Sequence, residues 1–475
     1  SYGVRFITRI RIARAMELLL ATDRKLDYLD AKVGLRRRPS FPKSGAALWL
    51  PRKPSSISKR NNPMKPARIL IPATLILVGN PMLASTYQDD LALLKRHTEI
   101  IELVSGDARL AIAPAWQGRV MTSTATGPAG GGFGWINPEV IAAGIKSESE
   151  RSGLARHIHV FGGEERLWFG PEGGPFALFF PPKVEQTFEN WKTPAAIDTE
   201  PFEVSGTPTA HSATFSKTIR LPNRAGTVFK MAVTRTISLT PEGDLAKLCV
   251  GPLPDGVRAV AYTSANTVKN NGDKPWTRET GAPSIWLLGM FNPTPKTTIA
   301  IPFKPGDKAT LGPIANTGYF GEIPENRIKF SDSVLFFKGD GKERGKIGIP
   351  PKRSQGIAGS WQADSGTLTL ALIQPSENPA AANWPYVDSQ WKEDVDPFGG
   401  DMINSYNDGP PEPGAKPLGP FYELETSSPA LFLKPGESHT HTQTTIHLTG
   451  SREALDAIAK RQLGADLENI ERALP

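Results

Sequence analysis

Two carboxylates spaced two residues apart near the C-terminus are the first groups to account for. In Phe421-Tyr-Glu-Leu-Glu-Thr426 apolar and acidic side chains alternate with the period of a strand. Tyr422, Leu424 and Thr426 then share one face, and Phe421, Glu423 and Glu425 the other. Acids on an otherwise aromatic, apolar strand are expensive to bury without cations or hydrogen-bond donors. Such a pair suits general acid–base work, and glycosidases use two carboxylates whose separation decides the stereochemical outcome. Glu164 and Glu172 are the other acids positioned to converge with them.

Those two acids belong to a second informative stretch, His157-Ile-His-Val-Phe-Gly-Gly-Glu-Glu-Arg-Leu-Trp-Phe-Gly-Pro-Glu-Gly-Gly-Pro-Phe176. Glu164, Arg166, Trp168 and Glu172 stand among glycines, ahead of an apolar strand expected over 176–180. Carboxylate and guanidinium groups bond hydroxyls, and an aromatic ring covers the apolar face of a sugar. A packed surface turn with an Arg–Glu pair explains the same residues without a ligand. His157 and His159, and His439, His441 and His447, have the parity of one strand face. A metal site would add a carboxylate such as Glu437 to two or three imidazoles. Their spacing carries no metal signature, so exposed strand histidines are the simpler reading and no metal or cofactor is expected.

Other chemistries lack their motifs. No Gly-x-Ser-x-Gly elbow is present. The glycine-rich Gly127–Trp135 loop precedes no helix with a Lys-Ser/Thr pair, which argues against nucleotide phosphate binding. Cys249 is the only cysteine, so no intrachain disulfide forms, and its place in Leu245-Ala-Lys-Leu-Cys-Val250 reads as a buried strand.

The elements that must position these groups are mostly strands. Alternating or β-branched runs appear at 99–104, 108–113, 118–124, 227–239, 257–263, 285–291, 297–303, 334–338, 367–374 and 442–448, divided by Gly/Pro turns. No fixed-period repeat favours a propeller, so one large antiparallel sandwich is expected over 86–450. Ser451 caps a helix over 452–463 that Gly464 stops, and a second amphipathic turn covers 467–474; residues 451–475 should dock on the sandwich rim.

Charge separates the start of the chain from the rest. Residues 1–63 hold fifteen Lys/Arg and four Asp/Glu, whereas the remainder holds forty and forty-four. The net charge of +7 therefore belongs to a basic extension with no sustained period, and it is no evidence of nucleic-acid binding. Met64-Lys-Pro-Ala-Arg68, the apolar Ile69–Gly79 run and small residues near Ala84 and Ser85 read as a signal peptide over 64–85. It predicts a secreted or periplasmic protein of bacterial type without a stable membrane span in the mature chain.

The C-terminal residues carry a resemblance. Tyr422-Glu-Leu-Glu-Thr426, Pro429, Leu433-Lys-Pro-Gly-Glu437 and a Thr/His-rich last strand resemble the signature of galactose mutarotases (aldose 1-epimerases). Gln117-Gly-Arg-Val120 resembles that family's opening turn. The resemblance implies an all-β fold, a large antiparallel β-supersandwich with short C-terminal helices, and a carbohydrate ligand. It places the family's catalytic base, which takes the proton of the anomeric hydroxyl, at Glu425. The two family histidines fall on Phe161 and Asn266, so the catalytic His pair is lacking, and Arg166, Glu164 or His159 would replace its acid. The expectation is a secreted carbohydrate-binding protein acting at an anomeric carbon through Glu425. Glu164, Arg166, Trp168, Glu172, Asn266 and Glu423 would bind the sugar. A non-catalytic glycan-binding or envelope protein, and a polysaccharide hydrolase or lyase, are the alternatives.

Overall fold

The computed structural model describes residues 85–248, 252–375 and 383–475. The basic extension, the expected signal peptide up to residue 84 and Cys249 lie outside these residues. Eighteen strands are formed among the described residues. They are β1 (Ile101–Ser105), β2 (Ala108–Ala113), β3 (Arg119–Thr124), β4 (Arg166–Gly170), β5 (Glu203–Val204), β6 (Ser212–Pro222), β7 (Val228–Leu239), β8 (Arg258–Asn270) and β9 (Ser284–Phe291). The second half adds β10 (Thr297–Pro302), β11 (Ile328–Phe330), β12 (Val334–Lys338), β13 (Gly345–Ile349), β14 (Ile357–Gln362), β15 (Thr367–Ile373), β16 (Ile403–Asn407), β17 (Tyr422–Ser427) and β18 (Ser438–Thr449).

The expected large antiparallel sandwich is present. A ten-stranded sheet runs β11-β12-β10-β14-β15-β18-β8-β7-β6-β5, and a five-stranded sheet runs β13-β16-β17-β9-β4. A third sheet, β1-β2-β3, packs alongside. Alternation sorts residues between layers, because successive strand side chains point to opposite faces. Ile299 and Ile301 of β10 meet Ile347, Ile349 and Leu424 of the smaller sheet in one apolar cluster. Their neighbour Ala300 turns the other way, toward the C-terminal helices.

Those helices, α2 (Arg452–Leu463) and α3 (Leu467–Arg472), cover the outer face of the ten-stranded sheet rather than its rim. The Ser451 side chain accepts from the Ala454 N–H, and Gly464 ends α2 at φ 69°. Leu455, Ile458 and Leu463 bury against Leu368, Leu370, Ile446 and Leu448. Each such side chain contributes about 1.5–3 kcal/mol on burial. A face built from six neighbouring strands offers far more apolar area than a rim, which explains the docking.

Two local expectations fail. Residues 176–180 form turns, not a strand, since Pro175, Pro181 and Pro182 bracket them and proline cannot donate to a ladder. Leu245–Leu248 is a helical turn rather than a strand. An unexpected helix, α1 (Tyr87–His97), opens the described chain. Thr86 caps it, Asp89 and Asp90 sit in its first turn, and Lys95, Arg96 and His97 in its last. This order complements the helix dipole.

Candidate functional site

All six residues of β17 are buried, so both its faces are covered. Its inner face meets the ten-stranded sheet: Tyr422 Oη lies 2.8 Å from Ser360 Oγ, and Thr426 Oγ1 lies 2.9 Å from His441 Nε2. Glu423 and Glu425 occupy the outer face of the smaller sheet. Register supplies their partners. Glu425 lies opposite Leu288 and Asn404, and Leu288 lies opposite Arg166. Glu423 lies opposite Tyr406, and Tyr406 opposite Lys346. Arg166 and Lys346 thus flank the acids from opposite edges, and each reaches diagonally to the acid in the other row.

Lys346 Nζ donates to Glu425 Oε2 at 2.9 Å and to Oε1 at 3.1 Å, while the Trp286 indole donates to Oε2 at 2.9 Å. Arg166 Nη2 bonds Glu423 Oε1. The cations rest on aromatic faces: the Arg166 guanidinium is 4.8 Å from the Trp168 ring, and Lys346 Nζ is 4.6 Å from Trp286 and 5.5 Å from Tyr319. Trp168 meets Trp286 edge to face at 5.7 Å. Pairing of this kind is what lets charge persist in a buried layer.

A third carboxylate unbalances the pairs. Glu172 lies in the fields of Lys346, Glu425 and Arg344 and accepts a hydrogen bond from Trp391. Burial is the main cause that raises its pKa, against the pull of Lys346. Burial likewise pushes Glu423 up to about 8; Arg166 opposes the rise, and the adjacent Glu425 carboxylate adds to it. Three carboxyl groups, Glu172, Glu423 and Glu425, thus share one layer with the cations Lys346 and Arg166, and burial favours the protonated form of Glu172 and Glu423. Beside Lys346, Asp401 accepts from Tyr319 Oη at 2.7 Å, and burial pushes it up to about 7.

Above this layer opens a cleft of about 840 Å³, within the size range of small-ligand sites. Tyr319, Phe320, Phe188 and Trp391 present partly exposed rings to it, and Arg344, Lys146, Arg151, Glu139 and Glu412 supply charged groups. Tyr319 and Trp391 join cleft to floor, since they also touch Lys346, Asp401 and Glu172. Glu423 and Glu425 lie beneath the wall, not in it.

The structure brings together Arg166, Trp168, Glu172, Glu423 and Glu425 of the sequence-derived set. Glu164 and Asn266 are elsewhere, inside the sandwich. Glu164 accepts from Ser123 Oγ at 2.7 Å and bonds His447 Nε2 at 2.8 Å. Asn266 accepts from Arg235 Nη1 at 2.8 Å, and Arg235 also pairs with Glu165 at 2.8 Å. Asn266 faces inward on the central strand β8, where its side-chain oxygen accepts from the buried Arg235 whose charge Glu165 balances. The histidines are not exposed strand residues. His157 ends a 3₁₀ turn, His159 Nδ1 lies 2.8 Å from Asp198 Oδ2, and His439, His441 and His447 are buried. Among the described residues no three His, Cys, Asp or Glu side chains gather as a metal site. No described helix is long and apolar enough to cross a membrane. Lys346, Trp286, Asp401, Tyr319 and Trp391 were not singled out by sequence; the apolar run over 285–291 was the available signal for Trp286.

The DUF6786 family model, described as a family of unknown function, matches residues 85–474. The chain belongs to that family. No curated protein matches this DUF6786 member. Among solved structures it is similar to the Slr1438 protein of Synechocystis, at 14% identity over 74% of this chain and 96% of that one, with a TM-score of 0.41. It is also similar to a galactose mutarotase-like protein from Lactobacillus casei, at 11% identity over 74% and 99% of the two chains, TM-score 0.38. A galactose mutarotase related enzyme from Lactobacillus acidophilus matches at 10% identity over 74% and 97%, TM-score 0.35.

Proposed function

We propose that this DUF6786 protein is a secreted carbohydrate-binding protein whose ligand occupies the cleft over the smaller sheet. The observation that carries the reading is the joining of partly exposed Tyr319 and Trp391 to the Lys346–Glu425 and Glu172 floor. Rings backed by buried ion pairs are held still, so stacking on a sugar face costs little side-chain entropy. Arg344, Glu139 and Glu412 around the same cleft are suited to hydroxyl groups. Support for secretion comes from the signal-like segment over 64–85. A glycan array probed with the wild-type domain and with Trp391→Ala tests the reading: wild type should retain a defined set of glycans and the variant lose them. Absence of binding by wild type to every glycan would overturn it.

A second reading, acid–base chemistry at the anomeric carbon, is favoured by the buried Glu423 and Glu425 carboxyl groups, two residues apart on one face of β17. Glu423 would donate to the ring oxygen and Glu425 accept the anomeric hydroxyl proton. A sugar would first have to displace Glu172 and Trp391 from above the pair. Polarimetry on freshly dissolved aldoses tests it. Mutarotation above the buffer rate that collapses in Glu425→Gln supports catalysis, and rates equal to buffer with both proteins leave the protein a binder.

A further inference from the structure

A second cleft, of about 1100 Å³, opens beside the β8–β18 end of the sandwich, and its chemistry differs from the first. Trp384 and Tyr386 wall it, His439 and His441 project into it from one face of β18, and Lys304 and Lys352 stand at its edge. No aspartate or glutamate is among the described residues that line it. Both lysines are exposed, and neither has a carboxylate partner among the described residues. They are not held loosely. Arg353, buried between them, donates to the Lys304 carbonyl at 2.9 Å, to Gly306 at 3.0 Å and to Gly312 at 2.8 Å, which ties the two lysine-bearing loops together.

The imidazoles complete the contrast. His439 is 3% exposed and its Nδ1 has no hydrogen-bond partner, an expensive state for a buried polar atom. Its ring lies 5.8 Å from Trp384. Burial keeps both His439 and His441 below the ordinary imidazole value, so they act as neutral hydrogen-bonding groups. Two exposed ammonium groups, an unpaired imidazole nitrogen and two aromatic walls, with no acid among the described lining residues, form a set complementary to an anion.

We propose that this second cleft binds an anionic saccharide, one carrying uronate carboxylates or sulfate esters. The lysines meet the acidic groups, His439 Nδ1 bonds a hydroxyl, and Trp384 covers a ring face. The site is separate from the cleft over the smaller sheet, so Trp391→Ala leaves it intact.

Titration calorimetry of the full domain with a galacturonate tetrasaccharide and a sulfated galactan tetrasaccharide tests the proposal, with the unsubstituted galactan tetrasaccharide and inorganic sulfate as controls. At least one anionic probe should bind, and binding should weaken as salt rises. The Lys304→Ala/Lys352→Ala variant changes only exposed side chains and should fold normally; it should weaken binding roughly tenfold. Trp384→Ala should weaken it independently, and Trp391→Ala should not change it. Equal binding of the neutral tetrasaccharide, binding unchanged in the double-lysine variant, or sulfate ion binding as tightly as the saccharides would each overturn the proposal.

Discussion

Replacing Lys346 with methionine should expose how the buried charge layer is held. Glu425 is 0% exposed and keeps only the Trp286 indole when the ammonium is removed, with Glu423 beside it on the same strand face. Removing one partner of a buried pair costs about 3–5 kcal/mol, because the other charge is left uncompensated. For the 85–474 region, unfolding entropy near 2.1 cal/mol/K per residue gives about 0.8 kcal/mol/K, so the loss corresponds to a Tm lower by about 4–6 °C. Lys346→Met/Glu425→Leu removes both charges at similar volume and should recover most of the deficit. Calorimetric melting of wild type, both single variants and the double variant at pH 7 completes the cycle. A double variant that loses the sum of the two single losses would refute the pairing argument, as would a Lys346→Met melt within about 1 °C of wild type.

Three further substitutions probe the same framework. Asp401 has an ordinary pKa of 3.8 and is pushed up to about 7 in the fold, so its stabilising proton is fully bound below pH 3.8 and is lost as pH rises to 7. Asp401→Asn should therefore gain stability above pH 7, with a ceiling of about 4 kcal/mol, and gain nothing at pH 4; a difference independent of pH in urea unfolding would contradict this. His441 runs the other way: burial lowers it from 6.5 to about 3, so its contribution is complete above pH 6.5 and is lost as pH falls toward 3. His441→Gln should flatten the acid limb of the stability profile, and superimposable wild-type and variant profiles would count against it. Gly348→Ala places a methyl group 2.0 Å from Asp401 Oδ2 and should cost about 1–3 kcal/mol. Asp401→Ser in the same chain should restore much of that loss, and a chemical melt showing no rescue would mean the clash lies elsewhere.

The face of β17 was legible because its alternation is strict: Glu423 and Glu425 separate from Tyr422, Leu424 and Thr426 as their parity requires. Arg166, Trp168 and Glu172 were legible as a charged and aromatic set, although the turn imagined for them is partly a strand. Lys346 was hidden by Gly345 and Gly348, which weaken the strand signal of a five-residue segment. Tyr319 comes from a loop distant in sequence from Trp391 and Asp401, and no local period encodes that meeting. The parity of His439, His441 and His447 was right and their exposure wrong, because the face of β18 that carries them is buried. Asn266 was misplaced for a related reason: a motif match gives a position along the chain but not the face it serves.

Hydrogen–deuterium exchange with and without a saturating neutral glycan, taken from the array, tests most directly whether the cleft over the smaller sheet holds the sugar. Slowed exchange is expected in segments 150–155, 319–320 and 415–418 and at Trp391, which line that cleft, with no change near His439. Protection confined to the second cleft, or to neither, would contradict it.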